Sequence, residues 1–450
     1  MEHKGLNNMT RTQQKLSPSS DLLARRGQAR SATDQLFEVP LREALYDRPI
    51  PERHRIVFYV GHLEAFDWNL LGNYAFEAKS FHPEFDKLFA FGIDPVDGGL
   101  PSDQPSDWPT LEEVHEYSNR VRQEVDARLK SEPLADAAGE LSPAGVYVNV
   151  ALEHRLMHAE TLAYMLHQLP LHRKVKQSAA NVPAAPVETG RMIEIPAGTA
   201  TLGLPRTGGV FGWDNEFELN TAQVPAFAID EYKVTNGEFL KFLREGGYET
   251  KSLWDDAGWE WKEREAVGHP RFWVPREGAW NYRTMFAEIP LPLDWPVYVS
   301  HAEATAYARW AGKQLPTEAQ HHRAAYGTPE GKETDYPWGS GAPEKNRGNF
   351  NFSHWDPTPV QAYPAGRSSF GVADLLGNGW EWTSTVFKPF EGFEPFPFYQ
   401  GYSANFFDGK HYVMKGGSPR TAGCMLRRSF RNWFQSHYQY AYSGFRCVSV

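Results

Sequence analysis

Cysteine is nearly absent. The 450 residues include two, Cys424 and Cys447, too few for a disulfide scaffold or a thiolate zinc cluster. Any bound metal would therefore rest on histidine or carboxylate. An excess of positive charge is lacking too. Lys and Arg number 46 against 56 Asp and Glu, a formal charge of −10. That balance argues against nucleic acid or an anionic membrane as the main partner. No apolar run is long enough to span a bilayer, and the polar start of the chain has no apolar signal segment. The expected location is the cytoplasm, and the expected partners are small molecules. Internal repeats and low-complexity blocks are also missing.

Aromatic residues are plentiful, at 14 % with 15 Trp. Many sit beside Gly and Pro, a texture of loops around aromatic-lined cavities. The length predicts two to three domains. Residues 1–17 read as a disordered polar tail. Residues 18–170 carry helical periodicity in four segments. The first starts near Ser19-Ser20-Asp21, a plausible N-cap. The second covers about 55–76. The third follows Thr110, with Glu113 at capping-box spacing, and runs to about Leu129. The fourth covers about 144–169 and stops at Pro170. Four such helices suggest a bundle. Residues 171–190 lose periodicity and read as a linker. Residues 191–450 show short alternating segments, with helices predicted over 236–244, 302–311 and after Thr317. The fold class is α+β: a helical bundle, then a loop-rich mixed domain.

His154 and His158 stand four apart in EHRLMHAE and share one face of the fourth helix. Val150, Thr161, Leu162 and Met165 place that face inward. Two buried imidazoles need partners. A metal provides them, and so do ordinary hydrogen bonds; spacing alone leaves both open. His62 also points inward with Phe66 and Leu70, although His54, His82, His115 and His167 compete with it. Three neutral imidazoles would suit iron, zinc or copper. Arg155 stands where a zinc protease has its glutamate, so H-E-x-x-H chemistry is excluded. Glu153 and Glu160 point away from the pair and read as supporting or surface carboxylates.

The runs GHLEAFDWNLL and EHRLMHAET resemble the DinB-like helical domain of the ergothioneine-biosynthesis sulfoxide synthases. Residues 296–325, YPWG at 336–339, GVADLLGNGWEWTST at 371–385, KGGSPRTA at 415–422, RRSFRNWF and SGFRCV resemble the formylglycine-generating-enzyme (sulfatase-modifying-factor) domain, a C-type-lectin-like fold. These motifs mark the fold and not the chemistry. The resemblance implies Fe(2+) on His62, His154 and His158. It implies an O2-dependent reaction that joins a thiol to the imidazole C2 of Nα-trimethylhistidine (hercynine). Tyr399 would be the catalytic acid. Tyr402, Asn432, Trp433 and Met157 would line the substrate pocket. A permanent cation such as trimethylammonium suits aromatic faces. The formylglycine enzymes work through a cysteine pair that the placement of Cys424 and Cys447 does not match.

Two departures bear on the donor. Phe434 stands where γ-glutamylcysteine users carry an acid, with no arginine following, and Met157 replaces a common Gln. Free cysteine fits better than γ-glutamylcysteine. A selenosugar donor, giving selenoneine, and a non-catalytic binding module of the same architecture are the rival readings. The GNGWEW turn, with Asn378, Trp380 and Glu381, often lies near a structural Ca(2+) in this fold; a tight glycine turn explains the same residues.

Overall fold

The computed structural model describes residues 18–90, 100–136, 140–177, 190–207 and 210–449. The tail expected over 1–17 lies outside them, as does the 178–189 stretch of the expected linker. Five helices come first: α1 (Pro18–Phe37), α2 (Ile56–Tyr74), the short α3 (Pro83–Leu88), α4 (Leu111–Leu129) and α5 (Pro143–Gln168). The capping box forms as the spacing predicts. Thr110 Oγ1 accepts the Glu113 N–H at 3.3 Å, and the Glu113 carboxylate accepts the Thr110 N–H at 2.9 Å. Ser142 caps α5, with its Oγ 3.0 Å from the Gly145 N–H. At α1 the structure differs: Ser19, Ser20 and Asp21 lie inside the first turn and not ahead of it.

The second half contains α6 (Asn236–Arg244), α7 (Asp256–Arg264), α8 (His301–Trp310) and α9 (Glu318–Tyr326) among small sheets. Helix α7 was not expected. It buries only Gly258 and Trp261, so it shows no apolar stripe to read. One sheet orders its strands Asn432–Gln435, His411–Lys415, Trp380–Val386 and Ser443–Gly444; the last pair is parallel, the others antiparallel. Asn432 thereby lies opposite Met414, and Trp433 opposite Val413, on an edge strand.

Helix α5 is the hinge of the packing. Residues from Ala144 to Gln168 are buried nearly throughout, because α1 and α2 cover one side and the second half covers the other. Leu156 and Leu166 share one core with Trp213, Trp380, Met414 and Tyr442. The polar residues of α5 are sorted by side. Arg155 turns into the bundle, donating to the Leu63 carbonyl at 3.0 Å and meeting Glu64 at 3.0 Å and Asp67 at 3.3 Å. Glu153 and Glu160, seven apart, face the second half together.

The GNGWEW turn is held by its backbone conformation and by buried charges. Asn378 and Gly379 take left-handed backbone conformations, with φ of 61° and 134°, which suits Asn and Gly. The turn's charges are already matched. Lys233 Nζ lies 3.2 Å from Glu381 Oε1 and donates to the Gly377 carbonyl at 3.1 Å. Arg446 Nε meets Glu381 Oε2 at 2.6 Å. A fixed ammonium and a guanidinium hold the Glu381 carboxylate, while Asn378 Oδ1 accepts the Thr358 N–H at 2.8 Å. Trp380 reaches across to α5, where its indole N–H donates to Glu160 at 2.7 Å.

Candidate active site

Helices α2 and α5 bring three imidazoles together. His62, His154 and His158 are each 4 % exposed. His158 Nε2 lies 3.1 Å from His62 Nε2 and 3.1 Å from His154 Nε2. They form the one group of three or more metal-ligating side chains found among the described residues. Burial keeps all three neutral. It pushes His62 down to about 4, with the Phe89 carbonyl opposing the shift, and pushes His154 and His158 well below their ordinary value.

Hydrogen bonds alone cannot satisfy this cluster. The Phe89 carbonyl lies 2.6 Å from His62 Nδ1. A carbonyl only accepts, so Nδ1 bears the proton of the neutral ring and Nε2 presents a lone pair. If His158 Nε2 is bare, two lone pairs face each other across 3.1 Å. If it is protonated, its single hydrogen must serve both neighbours. The Nδ1 atoms of His154 and His158 have no partner either. A cation resolves the conflict. With ligand bonds of about 2.1 Å, two nitrogens at right angles on one metal lie about 3 Å apart. The donor set therefore fits a metal bound on one face, with positions left open for other ligands.

Aromatic rings fix the imidazoles. His154 stacks on Phe66 at 3.5 Å between ring centres, and His62 on Phe58 at 4.7 Å. The approach of Phe89 depends on Gly61: a Cβ there would lie 2.6 Å from the Phe89 ring. Behind α5, Glu153 is held by Trp213 Nε1 at 2.8 Å and by both terminal nitrogens of Arg427. Glu160 accepts from Trp380, from Ser418 at 2.5 Å and from Thr421 at 2.9 Å. Both carboxylates are buried locks between the two halves; neither lies at the surface.

A cavity of about 180 Å³ opens beside the His158 stretch of α5, and Met157, Tyr402, Asn432 and Trp433 all line it. The four residues expected to bind substrate thus share one wall system. Its remaining walls include Trp380 and Phe430. Tyr402 donates its hydroxyl to Met157 Sδ at 3.4 Å and stacks on Trp213 at 3.9 Å. Trp433 stacks on Phe387 at 4.2 Å. Tyr399 sits elsewhere, packed 5.4 Å from Phe66 and 6.4 Å from the His154 ring. Sequence reasoning missed Arg53, which enters the same cavity from the loop before α2, and Trp213, which backs Tyr402. Neither carries a local signal: one is a loop arginine between Arg48 and Arg55, the other one of 15 tryptophans. Phe434 and Tyr438 stack on each other at 4.6 Å, so the places of an acid and an arginine are filled by one aromatic pair.

Comparison with known proteins places this geometry in a lineage. Residues 178–450 match the sulfatase-modifying factor enzyme 1-like domain, and residues 27–162 match the DinB superfamily. The hercynine oxygenase of Mycolicibacterium thermoresistibile is 36 % identical over 304 residues, covering 66 % of this chain and 67 % of that protein. The hercynine oxygenase of Mycolicibacterium smegmatis is 35 % identical over 329 residues, covering 71 % and 75 %. Ergothioneine biosynthesis protein 1 of Neurospora crassa is 30 % identical over 500 residues, covering 90 % of this chain and 55 % of that longer protein.

Proposed function

The chain belongs to the DinB-plus-sulfatase-modifying-factor family of the hercynine oxygenases, and from that premise we propose that it is a non-haem Fe(II) sulfoxide synthase of ergothioneine biosynthesis. It joins a thiol, cysteine rather than γ-glutamylcysteine, to the imidazole C2 of hercynine. The observation that carries this reading is the convergence of three neutral imidazoles, with His158 Nε2 3.1 Å from both neighbours, beside an aromatic cavity.

Iron on His62, His154 and His158 would supply O2 activation and a Lewis acid that lowers the thiol's pKa. The balance is simple. The C2–H and S–H bonds are lost, a C–S bond forms, one oxygen ends on sulfur and the other leaves as water with both hydrogens. This chain's residues do the placing. Tyr402 and Trp433 offer ring faces to the trimethylammonium. Asn432 offers an amide to the imidazole or carboxylate. Burial holds the Tyr402 hydroxyl in its protonated form, and Met157 fixes its direction. Tyr399, beside His154, is the proton donor in this scheme. The aromatic walls keep water from the reacting centre.

The Phe434–Tyr438 stack supports free cysteine, because neither ring offers a charge to read a second amino-acid carboxylate and amine. Product mass spectrometry with cysteine, γ-glutamylcysteine and a selenosugar decides the donor. The central test is His154→Ala. Iron per chain, after anaerobic loading, and product formation should vanish together. Full turnover by an iron-free variant would sink the assignment.

A further inference from the structure

Arg53 is a buried charge whose hydrogen-bond partner is a phenol. It is 8 % exposed. Its Nε donates to the Tyr438 hydroxyl at 3.0 Å, and its guanidinium lies over the rings of Tyr438, Tyr164 and Phe434 at 5.3, 5.9 and 6.0 Å. Among the described residues no carboxylate pairs with it. Arg155, Arg431 and Arg446, just as buried, each meet a glutamate. A buried guanidinium left unpaired is costly, and here the planar fork of donors is held ready by three aromatic rings.

Its place in the molecule gives that fork a use. Arg53 stands at the junction of two cavities. The inner one is the aromatic cavity beside His158. The outer one, about 330 Å³, shares Arg53, His411 and Phe434 with it and is otherwise largely polar, with Glu52 and Glu265 in its walls. A planar fork of N–H donors that, among the described residues, bonds a phenol and no carboxylate matches a carboxylate. We propose that Arg53 receives the carboxylate of the sulfur donor, an α-amino acid thiol that enters through the outer cavity. This rests on the hercynine sulfoxide synthase reading above.

Hercynine is the poorer occupant. Its carboxylate and trimethylammonium share one carbon. Seating that carboxylate on Arg53 would bring a permanent cation close to a guanidinium at low dielectric. It would also draw the trimethylammonium away from Trp433 and Tyr402. The donor's ammonium meets no such conflict, because Glu52 lies on the outer side, where Glu265 is paired with Arg264 at 2.9 Å. The charge that an arginine a few residues after Trp433 would supply comes instead from a separate loop, and it packs on the Tyr438 ring.

The test is a split in kinetic constants. Arg53→Met keeps the length of the side chain and removes the charge; Arg53→Lys restores charge without the fork. The KM for cysteine should rise about 10- to 100-fold in Arg53→Met and partly recover in Arg53→Lys. Hercynine binding, followed by titration of the iron-loaded enzyme, should stay at the wild-type level in both. Cysteamine, which lacks the carboxylate, should be a poor donor for the wild type and insensitive to the substitution. Equal use of cysteamine and cysteine by the wild type would overturn the proposal. So would an Arg53→Met enzyme with an unchanged KM for cysteine, or one whose loss falls on hercynine. Failure of the wild type to bind hercynine at all would overturn the reading beneath it as well.

Discussion

Two buried polar clusters lie side by side on α5 and follow opposite rules. Arg155 is wrapped by Glu64, Asp67 and a backbone carbonyl, and its charge is answered within the bundle. His154, one residue earlier, and His158, three later, meet only other bare nitrogens. Both clusters cost desolvation. The first recovers that cost inside the protein. The second finds no such answer inside the protein and is fitted to recover it from a metal. Satisfaction of buried polar atoms, rather than their burial, separates what holds this helix in place from what it presents.

Substitution should divide the two clusters cleanly. Arg155→Leu leaves Glu64 and Asp67 buried with less countercharge, and the expected loss is about 3–5 kcal/mol of folding stability. His154→Leu should leave the metal-free protein as stable as the wild type or more so, because it deletes an unpartnered polar group. It should also abolish the rise in melting temperature expected of the wild type with ferrous or zinc ion. Urea unfolding with and without metal reads both. Equal destabilisation by the two changes would erase the distinction.

Acid should attack the histidine cluster first. His62 titrates at about 4 in the folded chain against an ordinary 6.5. The unfolded chain therefore binds more protons between those values, and stability falls as pH drops from about 6.5 to 4. His62 alone accounts for about 3 kcal/mol over that window, and His154 and His158 shift in the same direction. Above pH 7 these groups contribute no slope. Metal-free wild type and His62→Phe, unfolded in urea at pH 7 and pH 5, give the comparison; the variant should lose less. A pH-independent difference between them would refute the neutral cluster.

Much of this was legible in the chain itself, and the remainder has a physical reason for its silence. The i, i+4 pair of His154 and His158 and the Thr110–Glu113 box are local, so the helix repeat reveals them. His62 needed the family resemblance, since several histidines compete on similar terms. Glu153 and Glu160 read as supporting or surface groups because their partners, Trp213, Trp380, Ser418, Thr421 and Arg427, lie 60 to 274 residues further along. Arg53 depends on Tyr438, 385 positions away. Long-range pairing of this kind leaves no periodic trace. The partners of Glu381 were silent for the same reason: Lys233 and Arg446 are remote in sequence from the turn they neutralise.

The subtlest prediction concerns the histidine of the cluster whose tautomer a backbone carbonyl sets. Gly61 lets the Phe89 ring lie against α2, and the Phe89 carbonyl orients His62 through Nδ1. Gly61→Ala favours the helix by up to about 1 kcal/mol but puts a methyl 2.6 Å from the ring face, so Phe89 must move. Folding stability should change little as the two effects offset. Metal affinity should fall about 10- to 100-fold, the usual result of losing the group that orients a ligand imidazole. Adding Phe89→Leu should recover most of it, because the clash is with the ring while the acceptor is main chain. If Gly61→Ala binds metal as tightly as the wild type, the carbonyl does not set the lone pair of His62, and the cluster is held by α2 and α5 alone.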